Sequence, residues 1–514
     1  MNLGIDLGTT NSRIARTTWA GASALVADGR DSSRLTTPSV IYVDADGALV
    51  GQPVEDLCED QPALPAIRDL KAAWGSSDSI ADATGQAWSV TELVACLLKK
   101  LKRDVEVSSQ ESIERVTIAV PRSASVAARQ CVSQAGSLAG FSRMALVEEP
   151  LAVACHYGLA THASPLTLLV FDWGGGGFRA TVLRRDAGRL AVLSEQGESR
   201  WSGRALDDQL AGLIAEQFRD EQAFDPLADA AAQVTLRRQV EALKINLLSR
   251  PCGSERLNFF LGGRVLEFVL LDSDVQQLLK PALEAAWQTC EQALQSAELT
   301  WQSLDRIALS GELSALPMLK QNWRSRLPRP HEQFLRHQPG LAVACGAALW
   351  EGDPPWRTAE SRSSLTHGSA VHRGGLPSHV ADTDLGFHAL DVATGALRLD
   401  PVIACGTPLT ARGQRTFYVN RPDQTQMVLE LLQGRSGDLP ATSLGHCVVP
   451  LQQPRTNPAV EVQVDWNANG SITVVARDAE NGQPTGWTFE PLTTLEPAID
   501  EAQQRRLQRT PLRD

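Results

Sequence analysis

Two short segments of this 514-residue chain share one pattern, and that repetition constrains the fold more than any other feature. The segments are LGIDLGTTN (3–11) and VFDWGGGGF (170–178). In each, an aspartate, Asp6 or Asp172, stands just before a run that contains glycine. The apolar residues alternate as in a strand with one buried face: Leu3, Ile5 and Leu7 at the first segment, and Leu169, Phe171 and Trp173 at the second.

Glycines after a strand allow a tight turn and a close approach to a ligand. Backbone N–H groups in such a turn cradle phosphate oxygens, and a nearby carboxylate holds magnesium through water. Two such turns facing each other would hold one nucleotide between them. Taken alone, the glycines at 174–177 fit a flexible turn equally well, so the inference rests on the repetition. The chain has no Gly-Lys dipeptide, hence no Walker A loop, and no G-x-G-x-x-G opens a helix.

Composition limits the class of protein. A hydrophobic content of 43% and a charged content of 21% are typical of a globular chain, here with two or three domains. No apolar run reaches the length of a membrane span, and the N-terminus leads directly into a strand, so we expect no membrane segment and no signal peptide. Nine dispersed cysteines without a C-x-x-C pair indicate reduced thiols and a cytoplasmic location. The net charge of −12 argues against nucleic-acid binding.

The hydrophobic pattern divides the chain into an α/β part and an all-β part. Strand and helix patterns alternate through residues 1–351, which predicts sheets covered by helices. Residues 352–380 are polar and rich in Ser, Pro and Gly, as in a linker. Residues 381–492 carry short strands and an Asn-Gly hairpin turn at 469–470, which predicts an antiparallel sandwich. For residues 493–514 we predict one short polar helix or tail.

The order of motifs resembles that of the 70-kDa heat-shock chaperones (DnaK-like), within the actin-like ATPase superfamily. The segment LGIDLGTTNS (3–12) is similar to the N-terminal signature of that family. Further similar segments follow in the family order: VTIAVP (116–121), AGSLAG (135–140), VEEP (147–150), HYG (156–158), DWGGGGF (172–178), IALSG (307–311), AVACGAA (342–348) and the hairpin 460–474. The resemblance covers residues 2 to about 490. It implies two actin-like lobes with ribonuclease-H-like sheets, followed by a sandwich of the peptide-binding type.

The resemblance implies a site for ATP or ADP with Mg²⁺. Asp6 and Asp172 would order the waters of the magnesium ion, and Lys71 and Glu149 would place the attacking water and neutralise phosphate charge. This division suits phosphoryl transfer, which depends on positioning and charge neutralisation. The other residues of the implied nucleotide site are Gly8, Thr9, Thr10, Asn11, Gly174, Gly175, Gly176, Gly177, Arg179, Glu241, Lys244, Gly311 and Glu312.

Several of these residues also have simpler interpretations. Glu241 and Lys244, implied to hold the ribose, lie three apart on a predicted helix and could be an ordinary intrahelical ion pair. Lys71 taken alone could be a solvated surface lysine. Only seven of the 48 basic residues are lysines, so two of them at family positions favour the functional interpretation. Pro121 and Arg129 match the family pair that relays the nucleotide state between domains; alternatively they are a strand-ending proline and a surface arginine.

The sequence also departs from the family pattern. The second phosphate turn has Gly177 and Arg179 where the family has Thr and Asp, and that Asp helps to hold a potassium ion. The potassium site therefore lacks its usual ligands. The guanidinium could replace the ion, or it could turn out to solvent or pair with a surface acid. In the adenosine motif a glycine is replaced by Glu312 and an adenine-packing arginine by Ala315, while a helix serine is replaced by Leu248. We therefore expect ATP binding with slow hydrolysis.

Two further differences concern the sandwich. Residues 352–380 lack the leucine-and-aspartate run with which the family linker docks, and the sequence given has no segment similar to the helical lid. We therefore expect peptide to exchange quickly. By alignment, four apolar residues would line a peptide groove, with a place in the sandwich core as the alternative: Leu399, Ile403, Met427 and Leu429.

We therefore expect an atypical, lidless chaperone that binds ATP and extended segments of unfolded proteins. Its expected partners are such segments, with a J-domain co-chaperone and a nucleotide exchange factor, and neither nucleic acid nor membrane. One alternative is a non-hydrolysing, ATP-bound scaffold that regulates a chaperone or co-chaperone. Another is a different actin-like protein: an ATPase, a small-molecule kinase or a filament former. The C-terminal sandwich argues against the kinase and the filament former.

Overall fold

The structure is a computed structural model. It describes residues 2–17, 23–25, 34–160, 164–186, 189–249, 255–327, 334–350, 384–390, 397–404, 407, 411–418, 426–434, 442–451, 459–466, 472–480, 484–489 and 501–513. The predicted linker 352–380 and the turn at 469–470 lie outside these residues, and the domain boundaries stay predictions.

Lobe I is an α/β unit whose sheet begins at the first repeated segment. Its strands are β1 (Leu3–Asp6), β2 (Asn11–Thr17), β3 (Ser23–Leu25), β4 (Thr37–Pro38), β5 (Ile41–Asp44), β6 (Gly47–Val50), β7 (Ser79–Ala81), β8 (Ala87–Ser89), β9 (Arg115–Val120) and β10 (Arg143–Glu148). Its helices are α1 (Gln52–Asp60), α2 (Val90–Ser109), α3 (Val126–Leu138) and α4 (Glu149–His156). The main sheet has the order β3-β2-β1-β9-β10, with β1 antiparallel to β2 and parallel to β9.

Lobe II repeats this arrangement from the second segment. Its strands are β11 (Leu166–Gly174), β12 (Gly177–Asp186), β13 (Arg189–Glu198), β14 (Glu255–Leu261), β15 (Arg264–Leu270), β16 (Arg306–Ser310) and β17 (Phe334–Leu335). Its helices are α5 (Gly203–Gln222), α6 (Ala230–Ser249), α7 (Asp272–Ser296) and α8 (Pro317–Arg324), and α9 (Ala342–Leu349) follows. The main sheet has the order β13-β12-β11-β16-β17, with the same pairing senses as lobe I. The repeated motif therefore marks a repeated fold.

The alternating apolar residues that predict a strand in each repeated segment also lie in the hydrophobic cores of the two lobes. Leu3, Ile5 and Leu7 lie in the core of lobe I, where α2 covers the sheet. That helix starts at a capping box, in which Ser89 accepts from the Glu92 N–H and Glu92 accepts from the Ser89 N–H. In lobe II the corresponding core set is Leu169, Phe171 and Trp173. Helix α9 packs against α4 and β1 and so connects the end of the α/β part to lobe I.

An antiparallel sandwich follows lobe II. Its strands are β18 (Asp384–Leu390), β19 (Leu397–Ile403), β20 (Ala411–Tyr418), β21 (Gln426–Gly434), β22 (Thr442–Pro450), β23 (Ala459–Trp466), β24 (Ile472–Asp478) and β25 (Thr485–Phe489). They form two four-stranded sheets with the orders β19-β18-β21-β22 and β20-β23-β24-β25. Alternate residues of β23 are buried between the sheets, as the period of a sandwich strand requires. Two actin-like lobes followed by a sandwich confirm the predicted fold class.

The C-terminal segment packs on lobe I. Helix α10 (Glu501–Arg509) buries Leu507 in the core of that lobe. The chain then extends beside β6, where the Ala48 N–H donates to the Pro511 carbonyl and the Arg513 N–H donates to the Ala48 carbonyl, each at 2.9 Å. Arg513 also pairs with Asp44 at 2.6 Å. Residues 501–513 are therefore an integral part of the surface of lobe I.

Candidate functional site: the cleft between the lobes

The two repeated turns meet across a cleft of about 850 Å³ that both lobes line. A Cβ atom added to Gly175 would lie 2.4 Å from the Thr10 hydroxyl oxygen, and one added to Gly176 would lie 3.0 Å from that of Thr9. Glycine at both positions therefore leaves room for the two threonine side chains of the first turn. The two turns thus line one cleft from opposite lobes, as phosphate binding from two sides requires.

Lys71 and Glu149 form an ion pair inside this cleft. The Lys71 Nζ donates to Glu149 Oε1 at 2.6 Å. Lys71 lies in a 3₁₀ turn (Leu70–Ala73), and Glu149 opens α4 immediately after β10. Burial acts to lower the pKa of Lys71, but the carboxylates of Glu149 and Asp6 raise it above its ordinary value. Burial acts to raise the pKa of Glu149, but Lys71 and Arg179 bring it below its ordinary value. Both groups are therefore charged at neutral pH.

Asp6 and Asp172 line the same cleft at the ends of β1 and β11. Burial raises the pKa of Asp6 to about 6, against the opposing effect of Lys71 and Arg13. Burial, followed by the charge of Glu149, also raises the pKa of Asp172. Carboxylates that are costly to ionise in this way are stabilised by a cation placed between them. The positions fit the predicted magnesium-ordering pair, whose role stays a prediction.

Arg179 faces the cleft. Its Nη1 lies 3.7 Å from Oε2 of Glu149, so that Glu149 stands between Lys71 and Arg179. Arg179 is thus paired with a carboxylate of the cleft while its side chain stays 41% exposed, and its role stays a prediction. The neighbouring Gly177 has φ +136°, and a Cβ there would lie 2.5 Å from the Glu198 carbonyl oxygen. A side chain at 177 would therefore be strained in this backbone conformation, which glycine adopts readily.

Arg13 is a cleft residue that the sequence reasoning missed. Its side chain is 8% exposed, forms an ion pair with Glu312 of lobe II, and has Nη1 3.9 Å from Oδ2 of Asp6. Among the described residues its Nε has no hydrogen-bond partner although it is buried. One signal was available: Arg13 stands seven residues after Asp6, as Arg179 does after Asp172.

Glu241 and Lys244, the residues implied to hold the ribose, both line the cleft. They do not form the intrahelical ion pair of the simpler interpretation. Lys244 on α6 donates to Asp207 on α5 at 2.6 Å. Burial raises the pKa of Glu241, and Lys244 opposes that effect. The other oxygen of Asp207 is buried without a partner among the described residues. Gly311 and Glu312 line the same end of the cleft, whereas the side chain of Leu248 lies outside the described part.

The implied relay residues lie on the lobe I side. Pro121 lines the cleft directly after β9. Arg129 on α3 donates to the carbonyl oxygens of Ala124 and Arg122, both at 3.1 Å, and to Glu148 at 3.5 Å. Ala124 lines the cleft, and Glu148 immediately precedes the cleft residue Glu149, so Arg129 supports the wall of the cleft from behind. Its contacts are those of a positioned group rather than of a free surface arginine.

The four residues predicted for the peptide groove lie inside the sandwich or at its edge. Leu399, Ile403 and Leu429 are nearly inaccessible, and Ile403 and Leu429 belong to the sandwich core. Met427 is half-buried against that core. Ile403 and Leu429 thus lie in the core, as the alternative had it, and Leu399 is buried as well. The groove assignment stays a prediction, and Met427 is the member that reaches the surface.

The donor set of the cleft fits a nucleotide and a magnesium ion held through water. Turn N–H groups, Lys71 and two arginines suit phosphate, while Asp6 and Asp172 suit a hydrated cation. In the part of the chain that the structure describes, no three His, Cys, Asp or Glu side chains form a cluster that could cage a metal ion directly. No helix in that part is long and apolar enough to cross a bilayer.

Two actin-like lobes around a phosphate-type cleft, followed along the chain by an antiparallel sandwich, define an actin-like ATPase domain joined to a β-sandwich. A family model described as Hsp70 protein matches residues 70–352, more than half of the chain. The chain belongs to the Hsp70 family.

The chain is also similar to archaeal relatives over about three quarters of their length. It is 28% identical over 504 residues to the chaperone protein DnaK of Methanothermobacter thermautotrophicus, covering 95% of this chain and 79% of that protein. It is 26% identical over 506 residues to the DnaK of Nitrosopumilus maritimus (96% and 76%) and 27% over 516 residues to that of Cenarchaeum symbiosum (98% and 74%). The similarity thus extends through the sandwich.

Proposed function

We propose that this Hsp70-family protein is a chaperone that binds ATP or ADP with Mg²⁺ between its lobes and hydrolyses ATP slowly. The observation that carries the proposal is the Lys71–Glu149 pair, which lies where the two glycine turns meet and beside both aspartates. The similarity to proteins named chaperone protein DnaK along nearly the whole chain supports the chaperone part of the proposal.

Some cleft residues neutralise the charge of the phosphates, and others position the reacting groups. The turn N–H groups hold phosphate oxygens, and the charged Lys71 stabilises negative charge that develops on the transferred phosphoryl group. Glu149, ionised and fixed by Lys71, accepts a hydrogen bond from a water and so orients it. A bound magnesium ion supplies further neutralisation of the phosphates, with Asp6 and Asp172 as the residues that would hold its waters.

Slow hydrolysis follows from the position of Arg179. The positive charge of the guanidinium, 3.7 Å from Glu149 Oε2, helps to keep the pKa of Glu149 low and so weakens the ability of this carboxylate to accept a proton. The hydroxyl that the family has at 177 is also absent. Both changes affect the chemical step more directly than they affect nucleotide binding.

For the sandwich we propose binding of extended segments of unfolded polypeptides, by main-chain hydrogen bonds and apolar contacts. The surface of the sandwich offers apolar positions for this purpose. Val428 and Val448 are directly paired across β21 and β22 and are 56% and 39% exposed. A J-domain co-chaperone and a nucleotide exchange factor are the partners that this activity would need.

Titration calorimetry and single-turnover kinetics test the nucleotide part of the proposal. ATP and ADP are expected to bind one to one in the presence of Mg²⁺, and a single turnover is expected to release phosphate slowly. Fluorescence anisotropy with a labelled, extended apolar peptide tests the sandwich, with a Val428→Lys, Val448→Lys double variant expected to bind less. No heat of binding for either nucleotide would contradict the proposal.

The ion pair between Arg179 and Glu149 also favours a second candidate, an ATP-bound scaffold that does not hydrolyse. In that case single-turnover experiments would show binding without phosphate release, and Arg179→Asp would restore release. Membership of the Hsp70 family leaves the small-molecule kinase alternative without support.

A further inference from the structure

Each of the two phosphate hairpins carries an arginine directly opposite its aspartate. In lobe I the register pairs Asp6 with Arg13 across β1 and β2. In lobe II it pairs Asp172 with Arg179 across β11 and β12. Residues directly opposite each other in an antiparallel pair project on the same face of the sheet. The two arginines are therefore related by the internal duplication, and both side chains line the cleft.

The surroundings of Arg13 hold its guanidinium in place while leaving donors unused. Glu312 pairs with Nη2, Asp6 lies 3.9 Å from Nη1, and the buried Nε has no partner among the described residues. A guanidinium has five N–H donors, so these contacts do not exhaust it. Since Glu312 belongs to lobe II, the pair also fixes Arg13 across the cleft.

Arg179 is placed in a comparable way from the other lobe. Its nearest carboxylate is Glu149 of lobe I, with the two atoms 3.7 Å apart, and its side chain is 41% exposed toward the open cleft. At that distance the contact is an ion pair rather than a hydrogen bond. The donors of Arg179 therefore remain accessible to an anion that enters between the lobes.

We infer that Arg13 and Arg179 form a paired guanidinium clamp that binds the phosphates of the nucleotide, so that binding depends only weakly on a divalent cation. Guanidinium groups bind phosphate oxygens in two places at once and keep their charge at any physiological pH. The carboxylates beside them fix their orientation before the ligand arrives, which lowers the entropic cost of binding. This inference rests on the proposed nucleotide site and concerns how that site neutralises phosphate.

The test is calorimetric titration of ADP and of ATP, once with excess Mg²⁺ and once with EDTA. For the parent protein we expect the affinity to fall by less than about tenfold when the metal is removed, because charge-assisted bonds to two arginines remain. Arg13→Met and Arg179→Met should each weaken binding in EDTA by about tenfold or more, and the double variant by more than either. Arg13→Lys should recover part of the loss.

Arg204→Met is the matched control. Arg204 also pairs across the lobes, with Asp69, but it does not line the cleft. The nucleotide affinity of the Arg204→Met variant in EDTA should equal that of the parent. Circular dichroism and thermal unfolding of each variant establish that it is folded, which matters most for the buried Arg13.

The outcomes separate the inference from the proposed function. Binding with Mg²⁺ that falls tenfold or more in EDTA would overturn the clamp and leave the nucleotide site standing. If Arg13→Met binds nucleotide in EDTA with the same affinity as the parent, Arg13 does not belong to the clamp. Absence of binding under both conditions would overturn the nucleotide site itself, and the clamp with it.

Discussion

The ammonium group of Lys71 donates a hydrogen bond of 2.6 Å to Oε1 of Glu149, and the two residues come from segments 78 positions apart. A cation fixed in this way contributes most when negative charge develops on the reacting phosphate. We therefore predict that Lys71→Ala lowers the single-turnover hydrolysis rate by about 100-fold or more while the ATP affinity changes by less than about tenfold.

Lys102→Ala provides the control for that substitution. Lys102 also forms an ion pair, with Glu106 at 2.9 Å on α2, but lies away from the cleft. The hydrolysis rate of the Lys102→Ala variant should match that of the parent. Equal rates for the parent and Lys71→Ala would remove Lys71 from the mechanism, and a parent that shows no release at all would favour the scaffold.

Asp82 predicts a pH dependence of stability in lobe I. Its carboxylate accepts hydrogen bonds from the Thr84 N–H, the Thr84 hydroxyl, the Gln86 N–H and the Trp88 Nε1–H, at 2.7 to 2.9 Å. Burial acts to raise the pKa of Asp82, but these bonds bring it below the ordinary 3.8. A lowered pKa in the folded state means that the stabilisation is complete above the unfolded pKa and disappears as the pH falls through the folded pKa.

Asp82→Asn should therefore destabilise the protein at pH 7 by about 1–3 kcal/mol, and the difference from the parent should shrink as the pH falls below about 4. Urea unfolding monitored by tryptophan fluorescence at several pH values measures both effects. Asp78→Asn, at an exposed neighbouring position, should leave the curve unchanged. A constant difference between Asp82→Asn and the parent from pH 7 to pH 3 would contradict this assignment.

Local sequence patterns predicted much of the fold, but they did not predict which side chains pair between segments far apart in the sequence. Alternation and glycine placed Asp6 and Asp172 at the ends of equivalent strands, because strand period and turn chemistry are local properties. The partner of Arg13, Glu312, is 299 residues away in the other lobe, and no local pattern joins them. The spacing of Glu241 and Lys244 shows only that they share a helix face. It does not show that Lys244 donates to Asp207 on another helix.

The same limit applies to the C-terminal helix. Its sequence is polar apart from Ala502 and Leu507, and these two residues give no periodicity from which a packing face could be predicted. The structure nevertheless buries this leucine to 2% exposure in the core of lobe I. Lys99 also donates to the Leu507 carbonyl at 2.9 Å. The docking is therefore specified by the lobe I surface as much as by the helix.

Leu507→Asp tests this docking. A buried leucine that is replaced by a charged group costs both its apolar contacts and the desolvation of the carboxylate, about 2–5 kcal/mol together. Residues 501–513 should then leave lobe I, and the Ala48 amide, which donates to Pro511, should lose its protection in hydrogen exchange. Gln508→Asp changes an exposed neighbour on the same helix and should preserve that protection. An unchanged exchange rate at Ala48 in Leu507→Asp would show that the segment is held by other contacts.

The last prediction concerns the monovalent cation. With the Arg179 guanidinium beside Glu149, a fixed positive charge already stands near the place where the family holds potassium. Nucleotide affinity and any hydrolysis should therefore be the same in potassium and in sodium buffers. Arg179→Asp should introduce a preference for potassium of about tenfold or less, since one carboxylate supplies only part of a cation site.

The substitution has to be made without Gly177→Thr, because a side chain at 177 would meet the Glu198 carbonyl oxygen in a backbone of positive φ. Arg184→Asp, on an exposed position of the same strand, makes the same change of charge away from the cleft and should not create the preference. Strong activation of the unmodified protein by potassium would show that Arg179 does not occupy the place of the ion.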